Sequence, residues 1–154
     1  MESNSVGSLI VSSFKVSKDR NGVLVDEMYY KQLVGSLMYL NATRPYMMFF
    51  THLISRYMAK PMKIHLQAAK RALRYLKGTV NYGIHYKKRR DGELLAFPDS
   101  DYTRDMEDRK STSGYMFLMS SNVISWCSKK QPIVTLSTIK AEFVATVVCA
   151  CQGV

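Results

Sequence analysis

The apolar residues of this chain change their spacing at Gly78, and that change limits the folds open to it. Before Gly78 they recur every three or four residues, the period of an amphipathic helix. Asp26 suits an N-cap, and Glu27 in the first turn favours the positive end of the helix dipole. Tyr30, Leu33, Val34, Leu37 and Met38 then predict a helix to about Leu40. Asn41 to Pro45 ends it, because Pro45 disfavours helical backbone at Arg44. A second helix is expected from about Tyr46 to Met58, with Met47, Phe50, Leu53, Ile54 and Tyr57 on one face. After Lys60-Pro61 a third runs from about Lys63 to Lys77, with Leu66, Ala69, Ala72, Leu73 and Leu76 as its stripe and Gly78 as the C′ residue.

Beyond Gly78 the apolar runs are short and bounded by turn residues, which predicts strands. They are Tyr82 to Lys87, Leu94 to Phe97, Ser113 to Met119 and Val123 to Cys127. A charged loop from Lys87 to Glu93 holds an Asp91-Gly92 turn, and Ser120-Ser121-Asn122 turns between the last two strands. Ser137 is the expected N-cap of a final helix to about Cys151, facing inward through Ala141, Val144, Ala145 and Val148. Residues 1–25 read as linker or loosely packed loop, with a turn at Asn21-Gly22. The expected fold class is α+β or α/β, with a helical module over 26–80 followed by a mixed sheet and one helix over 81–154.

A hydrophobic fraction of 47% allows a packed core, and no run of 18 apolar residues suggests a membrane span. The polar, Ser-rich N-terminus lacks a basic region ahead of its short apolar patch, which argues against a secretory signal. Three cysteines, Cys127, Cys149 and Cys151, form no disulfide framework, and His52, His65 and His85 supply no zinc-ligand spacing. Buried free thiols in a reducing, intracellular setting are expected.

Charge is distributed unevenly. Residues 1–93 carry 16 Lys and Arg against 6 Asp and Glu, whereas residues 94–154 carry 6 of each. Lys63, Lys70, Arg74 and Lys77 fall on one face of the third predicted helix, and Lys87, Lys88, Arg89 and Arg90 follow in the charged loop. Such a one-sided basic segment fits a polyanion, nucleic acid first, although a solvated basic surface gives the same pattern.

The acidic residues of the second half crowd directly after the Leu94–Phe97 run: Asp99, Asp101, Asp105, Glu107 and Asp108. Glu142 on the last helix is the one other acid there. On extended backbone Asp99 and Asp101 face the same side. Carboxylates so placed repel unless a cation lies between them, and Mg²⁺ takes such oxygens while keeping part of its water shell. Two-metal sites of this chemistry cleave phosphodiesters. A solvated acidic loop compensated by Arg104, Arg109 and Lys110 is the competing reading, and spacing by itself favours it.

Three stretches resemble one family in order. "YKQLVGSLMYL" at Tyr30–Leu40 with "TRP" at Thr43–Pro45, then "AAKRALRYLKGT" at Ala68–Thr79, resemble copia-type retrotransposon Pol polyproteins after the polymerase palm. "DRKSTSGYMFLMSSNVISWCSKKQPIVTLST" at Asp108–Thr138, continued by "AEFVA" at Ala141–Ala145, resembles the family's ribonuclease H segment. The resemblance runs from about Phe14 to Gln152 and implies the end of a reverse transcriptase joined to the first half of a ribonuclease H domain. "PDSDY" at Pro98–Tyr102 matches the family string that ends its strand, so Asp99 matches the first metal-binding carboxylate and Glu142 the helix glutamate. Asp101 belongs to the same string, as a weaker metal ligand or a salt-bridge partner. The implied reaction is Mg²⁺-dependent cleavage of RNA in an RNA–DNA hybrid, with hybrid or template-primer as partner.

The sequence also departs from the family pattern. Tyr46 replaces an aspartate, Tyr102 a tryptophan, Arg104 a common glycine, and Lys140 an acidic residue near the metal helix. The palm's aspartate pair is absent, which excludes polymerase chemistry. The family's further aspartates follow the glutamate helix and lie beyond Val154, so a truncated or decayed and inactive copy is expected. A non-specific nucleic-acid-binding remnant is the alternative. A minor one is a secreted effector, since Arg71-Ala72-Leu73-Arg74 matches the Arg-x-Leu-Arg string of oomycete effectors.

Overall fold

The computed structural model describes residues 4–10, 17, 22–88, 92–103, 105 and 107–153. The chain divides into two compact units, Met1–Gly83 and Ile84–Val154. No helix among the described residues is long and apolar enough to cross a membrane.

The first unit holds three helices: α1 (Glu27–Leu40), α2 (Pro45–Ser55) and α3 (Lys63–Gly78). Asp26 caps α1 as expected, its Oδ1 accepting from the Met28 and Tyr29 amides at 2.8 and 3.1 Å. The core joins Tyr30, Val34 and Leu37 of α1 to Met47, Phe50 and Ile54 of α2 and to Ala68, Ala69 and Ala72 of α3. Three alanines on α3 leave little side-chain bulk between the helices, so the large residues come from α1 and α2. Buried Tyr30 donates its hydroxyl to the Ile54 carbonyl at 2.8 Å, and burial, then the nearby Tyr57, holds its phenol above its ordinary pKa.

Several details differ from the sequence-based expectation. α2 starts at Pro45, because a first-turn proline has no intrahelical N–H bond to lose, and it gives way to turns after Ser55. Gly78 is the last residue of α3 rather than C′; Thr79 is the cap and accepts Arg44 Nη1 on its carbonyl at 3.0 Å. Met38 and Leu73 are 40% and 43% exposed, while His65 and Ala68 are buried in the stripe. His65 Nδ1 accepts the Met62 amide at 3.0 Å, so Nε2 carries the proton and donates to the Ser17 carbonyl at 2.9 Å; Tyr57 stacks on the ring.

Part of the stretch read as linker is tied to the helices. Val6 N–H donates to the Arg74 carbonyl, Arg71 Nε donates to the Leu9 carbonyl, and Leu9 and Ile10 pack on the core. Leu24 bridges Met62, and Lys63 N–H donates to the Val23 carbonyl.

The second unit is an antiparallel sheet of β1 (Leu94–Asp101), β2 (Thr112–Met119) and β3 (Asn122–Lys130), in that order, followed by α4 (Thr138–Gln152). With the helices of the first unit this makes a mixed α/β chain. Ser120 and Ser121 both adopt left-handed backbone, φ 49° and 72°, and close a two-residue hairpin turn. The strand expected at Tyr82 to Lys87 is not formed; Lys87 N–H and C=O both pair with the Asn122 side-chain amide. The Asp91-Gly92 turn falls partly outside the described residues, as do Arg89 and Arg90. β1 runs four residues past Phe97, because Pro98 lies on an edge strand where its missing N–H breaks no ladder.

Ser137 caps α4 as expected, its Oγ accepting the Lys140 amide. Ala141, Ala145 and Cys149 form the buried stripe of α4, and Val148, expected there, is 41% exposed. Of the three free thiols, Cys149 alone is buried and is held above its ordinary pKa by that burial; Cys127 is half-buried and Cys151 exposed.

Candidate functional site

Asp99 and Asp101 stand on the last residues of β1, not in a loop after it. Two positions apart, they share one face of the sheet, opposite Gly114 and Thr112 of β2. The alternate positions of β2, Ser113 and Phe117, face the other way, and α4 packs there. Gln131 Nε2 donates both to Ser113 Oγ, at 2.8 Å, and to the Ala141 carbonyl of α4, at 3.0 Å. Gly153, at the far end of α4, lies so close to Phe117 that an added Cβ would come within 3.2 Å of its Cε1.

Glu142 follows Ala141 in α4 and sits at the flank of the buried stripe, exposed, as Asp99 is. The two carboxylates therefore belong to opposite sides of the sheet but to the same end of it. Ser100, between the two aspartates, pairs with Ser113, which Gln131 links to the residue before Glu142.

The remaining acids of the β1–β2 loop have a different role. Asp105 is 7% exposed and is bound by Lys130 Nζ at 2.6 Å, which also reaches Asp108 at 2.7 Å. Asp105 Oδ1 accepts the Glu107 and Asp108 amides. Burial by itself would raise the Asp105 pKa, but the bonds from Lys130 and from these amides outweigh it and lower it to about 2. The cation that balances this loop is thus Lys130 of β3, which composition did not single out beside Arg109 and Lys110; Arg104 lies outside the described residues. Lys130 precedes Gln131, and neither residue belongs to an apolar pattern that would have drawn notice.

Carboxylate oxygens match Mg²⁺ in kind, since that ion binds through as few as one or two carboxylates and keeps waters. Asp99 and Glu142 carry such oxygens, but on opposite sides of the sheet. Among the described residues no three of His, Cys, Asp or Glu are grouped so as to hold an ion.

Of the basic residues, Lys63, Lys70 and Lys77 are exposed along α3, and Arg74 is half-buried beside them. Lys87 and Lys88 are exposed in the second unit. The Arg71-Ala72-Leu73-Arg74 string is helical, with Ala72 fully buried and Arg71 bonded to the Leu9 carbonyl.

No family model matches this chain, and no solved structure does. Among curated proteins it is 44% identical over 120 residues to the retrovirus-related Pol polyprotein from transposon RE1 of Arabidopsis thaliana, covering 78% of this chain and 8% of the relative. It is 39% identical over 138 residues to the corresponding polyprotein from transposon RE2 of the same plant, covering 90% of this chain and 10% of the relative. It is also 39% identical over 117 residues to secreted RxLR effector protein 161 of Plasmopara viticola, covering 75% of this chain and 82% of that protein. The likeness to the Pol polyproteins extends across both units, helices and sheet together, and marks a retroelement sequence. The chain belongs to the copia-type retrotransposon Pol polyproteins. It spans about a tenth or less of the length of the Pol relatives named above.

Proposed function

We propose that this segment joins the end of a reverse transcriptase to the first half of a ribonuclease H domain, the first over residues 26–80 and the second over 81–154. In that reading Asp99 and Glu142 are two of the carboxylates that hold Mg²⁺ for cleavage of RNA in an RNA–DNA hybrid, with Asp101 as a weaker third. The observation that carries it is the likeness to the Pol polyproteins across both units, with Asp99 late in the edge strand β1 and Glu142 in the second turn of the helix that follows the sheet. When bound, the metal would activate water and neutralise charge on the phosphodiester. The protein's own part is to hold the two carboxylates on rigid elements rather than on loops. Lys63, Lys70, Arg74 and Lys77, with Lys87, Lys88, Arg89 and Arg90, would contact phosphates without reading sequence.

Asp99, Glu142 and Asp101 form no three-carboxylate cluster among the described residues, so no hybrid cleavage is expected of the chain as it stands. A fluorescent RNA–DNA hybrid incubated with the chain and Mg²⁺ tests this. Turnover abolished by Asp99→Asn would overturn the inactivity and support the assignment of Asp99. The effector reading has the relative in Plasmopara viticola behind it, but that name belongs to that protein, and here the Arg-x-Leu-Arg string lies within helix α3 with its Ala72 in the core.

A further inference from the structure

Residues 84–88 have no regular structure, and every side chain after half-buried Ile84 is exposed. Tyr86 is 57% exposed; its ring meets no other ring and its hydroxyl no hydrogen-bond partner among the described residues. Lys87 and Lys88 follow it, and neither is paired with a carboxylate among the described residues. One point of the stretch is nevertheless fixed. Asn122, at the start of β3, spends its side-chain amide on a single backbone unit: Oδ1 accepts the Lys87 N–H and Nδ2 donates to the Lys87 carbonyl, both at 2.8 Å. This clamp does for Lys87 what a neighbouring strand would do, and it holds Tyr86 and Lys88 on either side of a fixed residue. Their backbones lie at most about 7 Å apart. An aromatic face and an ammonium group at that separation match the base and the phosphate of one nucleotide. Single exposed aromatics are ordinary on protein surfaces. What sets Tyr86 apart is the clamp beside it, which lowers the ordering cost of binding, and the two unpaired cations after it.

We infer that residues 84–88 are a contact for an unpaired nucleotide: the Tyr86 ring stacks on a base while Lys87 and Lys88 meet the adjoining phosphates. The ligand is single-stranded nucleic acid, because in a duplex both faces of a base are covered by its neighbours. Every base offers such a face, so the contact tells single strand from duplex and does not read sequence. The inference rests on the phosphate contacts proposed for Lys87 and Lys88, and adds to them a contact with the base.

The test measures binding of the 154-residue chain to a labelled oligothymidylate and to an abasic strand of the same length, by fluorescence anisotropy over a range of salt. The two probes carry the same phosphates and differ in their bases. The parent should bind oligothymidylate about tenfold more tightly than the abasic strand. Tyr86→Leu, at an exposed position, should erase that difference and leave the salt slope unchanged. Tyr86→Phe, which keeps the ring, should retain it. Lys87→Gln with Lys88→Gln should flatten the salt slope for both strands. Equal binding of the two strands by the parent, or a base preference that survives Tyr86→Leu, overturns the inference; a salt-dependent grip on both strands then leaves the phosphate contacts standing. Absence of binding to either strand and to an RNA–DNA hybrid overturns the phosphate contacts, and the stacking contact with them.

Discussion

Asp105 is nearly buried yet ionised, and its charge is held by three donors that arrive from different directions: Lys130 Nζ and two amides of its own loop. Because its folded pKa, about 2, lies below the ordinary 3.8, its contribution to stability is complete above about pH 4. As pH falls from 4 toward 2 the unfolded chain takes up a proton that the folded chain resists, and the contribution is lost. Lys130 is raised instead: burial acts against the shift, and the bonds from Asp105 and Asp108 outweigh it, so its share persists below 10.5 and fades only as pH rises through the raised value. Urea unfolding at pH 5 and pH 2.5 should therefore show lower stability at the acid point, and Asp105→Asn should flatten that difference. Lys130→Ala should cost about 1.5–3 kcal/mol at neutral pH, toward the lower end because Lys130 is partly exposed. Equal pH slopes for parent and Asp105→Asn would show that the buried aspartate is not the titrating group. None of this was legible in the string of acids by itself. Asp99, Asp101, Asp105 and Asp108 look alike in sequence; what separates them is that Lys130, more than twenty residues away, reaches the last two and binds them.

At the scale of elements, the helices were legible because their signals are local. Asp26 and Ser137 cap α1 and α4 where their side chains predict, and the Tyr30–Val34–Leu37 spacing is the core face of α1. Strand ends were less so, since they depend on partners. β1 continues through Pro98 because it is an edge, and β3 runs to Lys130 because Thr112, Ser113 and Gly114 stand opposite it. The Tyr82 to Lys87 run has strand-like residues but no partner strand among the described residues, and Asn122 satisfies the Lys87 backbone instead. The β2–β3 turn shows the cost of sequence against geometry most directly. Ser120 and Ser121 both hold left-handed backbone, a region that penalises residues with a Cβ by about 1–2 kcal/mol. Replacing them with Asn and Gly, Ser120→Asn with Ser121→Gly, suits the two-residue turn. The double variant should gain about 1 kcal/mol, seen as a higher urea midpoint at unchanged slope. A midpoint that falls would mean the serine side chains hold the turn by bonds worth more than the backbone strain.

For the whole chain, the unevenness of charge is the property that acts at longest range. All of the net +10 lies within residues 1–93, and residues 60–90 hold ten cations and no anion. Helix α3 exposes Lys63, Lys70 and Lys77 with Arg74 beside them, about whole turns apart, so a phosphate backbone running along the helix can meet several together. Binding of this kind releases counterions, so log affinity for an RNA–DNA hybrid should fall linearly with log salt. Replacing Lys63, Lys70, Arg74 and Lys77 by Gln should flatten that line by on the order of one unit of slope per lost contact. Lys87→Gln with Lys88→Gln measures the share of the second unit in the same way. Hybrid and duplex DNA should respond alike if phosphates alone are met, because charge carries no base readout. A slope untouched by the α3 replacements but removed by those at Lys87 and Lys88 would move the phosphate contact from the helix to the segment ahead of β1. A slope untouched by both sets would leave the basic surface as solvated charge, and would separate the ancestry of this chain from any present grip on nucleic acid.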